Sequence, residues 1–294
     1  MRHALFPAED TLGARLRTVA SFTVFLSTLV YSLLSFPWVK LFNKHSPLLV
    51  IAPLYSAAAL LMTWRLILIF FVEYTADDPS LNLFVEAYVL VADEAPGWWW
   101  SCTLLTWVTV ACPMAHVEAI RRGLPARTAL AYVVLAFLGA VSLAFPLLLT
   151  HLLVLPTVPA ARNRRRAPTS GSNRWLWPAC TAAALLSTAA LPLSVQRSRE
   201  VFILALAVLH LVLAVPFVVD WASSPSRAVA PLSASELRWL AVAAALLHTC
   251  SAGAALDALG TPAGFLSALL RAACRNVCQQ SISIDAALSS AAGA

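Results

Sequence analysis

Apolar runs long enough to cross a bilayer recur along nearly the whole chain, leaving no stretch free to fold as a separate soluble domain. A spanning helix needs ~20 apolar residues, because ~1.5 Å of rise per residue must cover ~30 Å of hydrocarbon. With 60% hydrophobic residues, 12% charged residues and a mean hydropathy of +0.79, the 294-residue chain departs far from soluble domains, in which ~25% of residues are charged. The expected fold class is all-α: one polytopic transmembrane helical bundle over 1–294, with about seven spans plus an interfacial helix.

The spans are expected near 18–36, 48–72, 98–120, 128–155, 175–195, 201–221 and 237–259. Between the second and third lies the one strongly acidic region, with Glu73, Asp77, Asp78, Glu86, Asp93 and Glu94. Inside it, 81–92 is too short to cross, and Phe84, Tyr88 and Val91 recur at helical spacing, which fits an interfacial or re-entrant helix. Residues 160–173, with Arg162, Arg164, Arg165 and Arg166 followed by a Pro/Ser/Gly stretch, read as a basic linker loop. The tail from Thr261 is interrupted by Arg271 and Arg275, and an interfacial helix with a frayed end is expected there.

The net charge of +6 and pI near 9.3 come mainly from arginines clustered between spans. Such clusters face lipid headgroups and set topology, and they argue against a nucleic-acid partner. The positive-inside rule puts Lys40/Lys44, Arg121/Arg122 and Arg197/Arg199 on the cytoplasmic side and the acidic region on the other; Arg162–Arg166 then falls on the wrong face. The first apolar run starts late and is as long as a full span, which reads as a retained signal anchor. Most of the six cysteines lie in apolar segments and act as small hydrophobes, and Cys274 and Cys278 alone make no zinc site.

Ionisable groups inside a bilayer cost ~2.5–3.5 kcal/mol each on insertion scales, so they usually face a bundle interior and carry function. Arg65 is the deepest cation of the second span, and Glu73 lies two turns further on. Glu118 and Asp220 lie near the ends of the third and sixth spans; headgroup-solvated interface residues are the competing reading for both. In the third span Cys102, Thr106, Thr109, Pro113 and His116 follow alternating four- and three-residue steps and form one polar stripe. Interhelical hydrogen bonding explains that stripe as well as a cavity wall does. His210 and His248 are buried by the same logic, either as proton carriers or as satisfied structural histidines. Most of the ten tryptophans read as interface anchors, but Trp98-Trp99-Trp100 beside an acidic helix can also wall a pocket whose ring faces stabilise a cation.

No P-loop, GxGxxG, HExxH or GxSxG pattern is present, and Thr75-Ala76-Asp77-Asp78 lacks the paired aspartates that hold a magnesium–diphosphate cluster. The stretch Phe84-Val85-Glu86-Ala87-Tyr88, then Gly97-Trp98-Trp99-Trp100-Ser101, Trp107, Glu118, Arg121-Arg122-Gly123 and Ala144-Phe145-Pro146-Leu147 resembles a group of fungal multi-pass proteins. The group includes the integral-membrane terpene cyclases of the ascofuranone-pathway type. The likeness covers Arg65 to His151, and Ser281 to Asp285 looks like the start of that group's last span.

What the resemblance implies is acid-initiated cyclisation of a farnesyl-derived epoxide in secondary-metabolite biosynthesis at the endoplasmic reticulum. The partners would be a lipophilic substrate and the bilayer, with no cofactor and no metal. Glu73, Glu86 and Glu118 are then the acid candidates, and Asp220 a base or second acid. Arg65, Trp99, Trp100, Trp107, His116 and His210 would contact substrate. Two other readings compete: a small transporter, which needs a polar path open to both faces, and a non-catalytic membrane partner of a pathway, which needs no acid.

Overall fold

A computed structural model of the chain describes residues 11–43, 47–77, 83–92, 94–157, 173–195, 198–223, 229–259 and 264–293. They form twelve helices and no strand: α1 (Thr11–Ser35), α2 (Trp38–Asn43), α3 (Pro47–Asp77), α4 (Leu83–Ala92), α5 (Ala95–Arg122), α6 (Ala126–Leu138), α7 (Val141–Val154), α8 (Leu176–Val195), α9 (Arg199–Ala222), α10 (Ala234–Leu259), α11 (Phe265–Ala273) and α12 (Val277–Gly293). Five carry a stretch long and apolar enough to cross a membrane, Val50–Glu73, Ala95–Arg122, Leu176–Ser194, Glu200–Ala222 and Ala234–Ala258. Their outward residues are themselves apolar, among them Leu54, Leu61, Leu186, Leu204, Leu211 and Leu246, as a surface solvated by lipid requires. The chain is an all-α polytopic bundle.

The apolar run at 128–155 is not one span. Gly123 at φ 66° ends α5 in the left-handed region, its N–H and that of Leu124 bonding back to Ile120 O and Ala119 O, and the chain reverses at once into α6. Helix α6 stops at Gly139, and α7 runs back beside it. The Tyr132 hydroxyl meets His151 Nδ1 at 3.1 Å, and Arg122 Nη1 donates to Leu152 O and Leu155 O at the far end of α7, at 2.7 and 3.0 Å. A collinear pair of helices would hold Tyr132 and His151 ~25 Å or more apart, so α6 and α7 are antiparallel. Each arm, at 13 and 14 residues, advances only ~20 Å and turns inside the bundle. The continuous fourth span is thus corrected to a re-entrant hairpin. At its tip the Gly139 carbonyl accepts the Trp64 indole N–H from mid-α3 at 3.1 Å, and Trp64 stacks on Phe25 of α1 with centroids 4.2 Å apart.

The tail is also corrected. Rather than a frayed interfacial element, α12 is inserted among α3, α5 and α7, with Gln279, Ser281, Ser283, Asp285, Ala286 and Ser289 buried. It runs antiparallel to α3: Ser281 Oγ donates to Thr63 O at 3.2 Å, and Tyr55 donates to Leu288 O at 2.5 Å. Helix α11 leads into it on the face where Trp100 Nε1 reaches Leu269 O and Arg275 pairs with Glu94 at 2.9 Å. The interfacial helix expected at 81–92 is α4, while the basic linker of 160–173 lies outside the described residues except for Asn173.

The hairpin changes the topology. Because α7 returns to the end of α5, the segment joining Leu155 to Leu176 starts and ends on the Arg122 face, beside Lys40, Arg127, Arg174 and Arg238. Arg162–Arg166 and Arg197 lie outside the described residues, and Arg199 begins α9 at the end of that helix opposite Asp220. The expected result follows for cysteines placed at Arg127 and Thr157, in a background where exposed Cys250 and Cys274 are serine. Both react with an impermeant maleimide from the same side of sealed vesicles. Labelling from opposite sides would restore a continuous span.

Candidate functional site

Above the hairpin tip the bundle lines a partly open cavity of about 150 Å³. Its floor is Leu138, Gly139, Ala140 and Val141 of the tip; its walls come from α3 (Ile67, Phe70, Phe71), α5 (Trp98, Ser101, Leu104, Leu105), α9 (Phe202, Leu206, His210) and α12 (Cys278, Ser281, Asp285). Helix α4 closes the acidic-face end with Ala87, Tyr88, Val91 and Ala92. The packing that forms this space needs small residues at the close approaches. A Cβ on Gly97 would sit 2.9 Å from Gln279 Oε1, and one on Gly139 would sit 2.7 Å from both Leu135 O and the Phe25 ring. These glycines are there for space, since neither backbone is left-handed.

The hairpin tip exposes the first N–H groups of α7 in the interior, where no water satisfies them. Asp285 does so from α12. Its Oδ2 accepts from Val141 N at 2.9 Å, and its Oδ1 accepts from Ser142 N at 2.7 Å and from the Ser142 hydroxyl. Helix α7 has no side-chain cap of its own, because Ala140 occupies the N-cap. The carboxyl oxygens also face the positive end of a helix dipole. Oδ2 receives a single hydrogen bond from the helix end, so it keeps a lone pair for a proton or a ligand.

Further polar residues line the cavity, Tyr88, His210 and Ser101 among them. Tyr88 lies on α4, outside the spanning helices, and burial, with the Asp285 carboxyl second, pushes its phenol up to about 12, so it stays a neutral O–H. His210 Nδ1 bonds to Leu206 O at 2.7 Å, and its ring is met edge-on by Phe137 at 4.8 Å and Tyr88 at 6.0 Å. Ser101 Oγ is buried with no partner among the described residues.

Of the catalytic and substrate-contacting candidates expected from the sequence, only His210 lines this cavity. Arg65, expected as a buried cation, is exposed on the outer face of α3 with no ion-pair partner among the described residues; a long cationic side chain on a lipid-facing helix reaches toward headgroups. Glu73 is exposed, and Glu86 is half-buried on α4 next to Ala87 and Tyr88. Glu118 pairs with Arg121 at 2.8 Å and with Arg122, at the far end of α5. Trp99 packs on His248 of α10, Trp100 donates to α11, and Trp107 meets the Phe145 edge; their neighbour Trp98 is the one that faces the cavity. A helix turns ~100° per residue, so consecutive tryptophans cannot share one wall.

His116 and Asp220 are brought together, but at the basic face. His116 Nε2 donates to Asp220 Oδ2 at 2.7 Å while Nδ1 accepts the Trp177 indole N–H at 3.0 Å, and Asp220 Oδ1 also takes the Val229 N–H. An indole only donates, so Nδ1 carries no proton and the imidazole is the neutral Nε2–H tautomer. Both ring nitrogens are occupied in joining α5, α8 and α9. Sequence reasoning missed Asp285, the carboxyl that does face the cavity. The signal was there: a lone acid among serines and alanines in an apolar tail, which becomes conspicuous only once that tail is known to be inside.

Fold and site together define a polytopic helical membrane protein with a re-entrant hairpin and a partly open, largely apolar cavity. The chain matches no family model, and no curated protein or solved structure matches it.

Proposed function

We propose that this chain is a membrane-embedded enzyme for a lipophilic substrate, and that its reaction is the acid-initiated cyclisation of a prenyl epoxide in fungal secondary metabolism at the endoplasmic reticulum. The observation that carries the reading is the cavity, apolar, walled by aromatic rings, closed below by the hairpin tip and containing one carboxyl, Asp285. A transporter needs a polar path open alternately to both faces. A cavity that ends on the backbone of Gly139 and Ala140 instead favours a resident ligand.

The chemistry then runs as follows. Asp285 Oδ2, carrying a proton, gives it to the epoxide oxygen and the C–O bond breaks. An alkene π pair forms the new C–C bond. The resulting cation lies against the faces of Trp98 and Phe70, and the Asp285 carboxylate takes a proton from the adjacent carbon, whose C–H pair becomes the product alkene. The sum is an isomerisation, balanced in atoms and electrons. A space of 150 Å³ accommodates the reacting end of a prenyl chain, a cavity of this size being known to hold benzene, so the remainder of a farnesyl tail extends beyond it.

Microsomes from cells expressing the chain, fed a farnesyl-derived epoxide, should form cyclised product absent from control microsomes. Asp220→Asn, at the opposite end of the bundle from the cavity, should retain the same product distribution in the protein that folds. No product from the wild-type chain with any of a panel of prenyl epoxides would remove the cyclase reading.

A further inference from the structure

The cavity wall contains two hydrogen-bonding groups that the protein leaves unfilled. The first is Ser101, 4% exposed, whose Oγ has no partner among the described residues. Other hydroxyls on the same helix bond back one turn: Thr103 to Trp99 O, Thr106 to Cys102 O and Thr109 to Leu105 O. Ser101 does not, and the carbonyl one turn behind it, Gly97 O, takes the Gln279 amide instead at 3.3 Å. A buried hydroxyl left without a partner costs ~1–3 kcal/mol, and an orphan hydroxyl on a residue that lines a cavity points to a ligand.

The second is His210 Nε2. Because Leu206 O can only accept, the 2.7 Å bond fixes the proton on Nδ1 and leaves Nε2 with a lone pair and no hydrogen bond among the described residues. A lone pair calls for a donor. Ethers and epoxides offer none, whereas a hydroxyl is both a donor, as His210 Nε2 requires, and an acceptor, as Ser101 Oγ requires. Among the described residues no Lys or Arg lines the cavity and its one charged-type group is the Asp285 carboxyl, so a phosphate or carboxylate would enter without a counter-charge from them.

We infer that Ser101 and His210 form a hydroxyl-reading point, and that the cavity takes a neutral lipophilic molecule carrying a free hydroxyl, to the exclusion of its ether and its phosphate ester. This rests on the reading of the cavity as the ligand site, and it adds a second anchor remote from the group that reacts at Asp285.

The test uses the full chain in lipid nanodiscs with geraniol, geranyl methyl ether and geranyl phosphate, read as the shift in thermal unfolding midpoint with probe concentration. Geraniol should bind at least tenfold more tightly than either of the others. Ser101→Ala and His210→Phe should each abolish that preference, and His210→Gln, which keeps an acceptor, should retain it. Ser101→Ala without probe should be at least as stable as wild type, since it removes an orphan hydroxyl, and this separates lost recognition from lost fold. Equal affinity for alcohol and ether, no binding of geraniol, or a preference that survives both Ser101→Ala and His210→Phe overturns the inference. Alcohol selectivity without epoxide turnover would instead refute only the cyclase; turnover indifferent to both variants would refute only the hydroxyl reader.

Discussion

Asp285→Ala lowers the stability of the bundle by ~1–3 kcal/mol for each backbone N–H left buried without an acceptor, and eliminates turnover. The carboxyl is the only side-chain cap of α7 among the described residues, and without it Val141 N and Ser142 N lose their acceptors where no water replaces them. The alanine also leaves a void beside the hairpin tip, and the tip is the cavity floor. Asp285→Asn separates the two roles. Its carbonyl oxygen still accepts one helix N–H and the Ser142 hydroxyl can turn to accept from the amide, so the cost falls to ~1–2 kcal/mol. It has no transferable acid proton, and product formation should drop by ~10²–10⁴. Thermal unfolding in detergent and product yield per folded protein, measured on both variants, check this. Cyclisation by Asp285→Asn at the wild-type rate would leave Asp285 a helix cap and nothing more.

Gly139→Val has the second large effect. At this position a Cβ would lie 2.7 Å from Leu135 O, an atom of the backbone, and 2.7 Å from the Phe25 ring that stacks on Trp64. The ring can shift a little; the carbonyl cannot move without unwinding the end of α6. Overpacking of this kind costs ~1–3 kcal/mol for alanine. Valine adds two methyl groups in a space already filled and should prevent the tip from seating. The loss should appear as a lower unfolding midpoint together with loss of the Trp64 to Gly139 O hydrogen bond, read from indole fluorescence in a background where Trp64 is the reporter. A valine variant with wild-type stability would mean that the tip does not pack against α1 as described.

The clash also explains why the hairpin is nearly invisible in the sequence. Residues 128–155 are mostly apolar, and a continuous span and a folded-back pair bury the same residue types. The one break is Gly139, and an isolated glycine in an apolar helix is common enough to pass as packing. The distinction is made by partners distant in sequence: Trp64 on the tip carbonyl, Asp285 on the tip N–H groups, Arg122 on the returning end. The candidate site was legible to a similar degree. His210 was visible as an expensive polar group in a spanning helix, and it does line the cavity. Asp220 and His116 were visible for the same reason, but Trp177 and Val229 occupy them. Helical spacing reveals which residues share a face and says nothing of what that face meets.

The sequence by itself determined the solvent of this protein and therefore its secondary structure, because runs of ~20 apolar residues in oil can satisfy their backbone only as helices. It also located the five long spanning segments and the short acidic-face helix α4 to within a few residues. Tertiary structure alone decided that one apolar run folds back halfway, that the tail turns inward to cap it, and that the space between them is a cavity holding Asp285, Ser101 and His210. The physical reason is that hydrophobic periodicity is a local property of one helix. A half-span becomes favourable only when another segment supplies hydrogen bonds to its broken end.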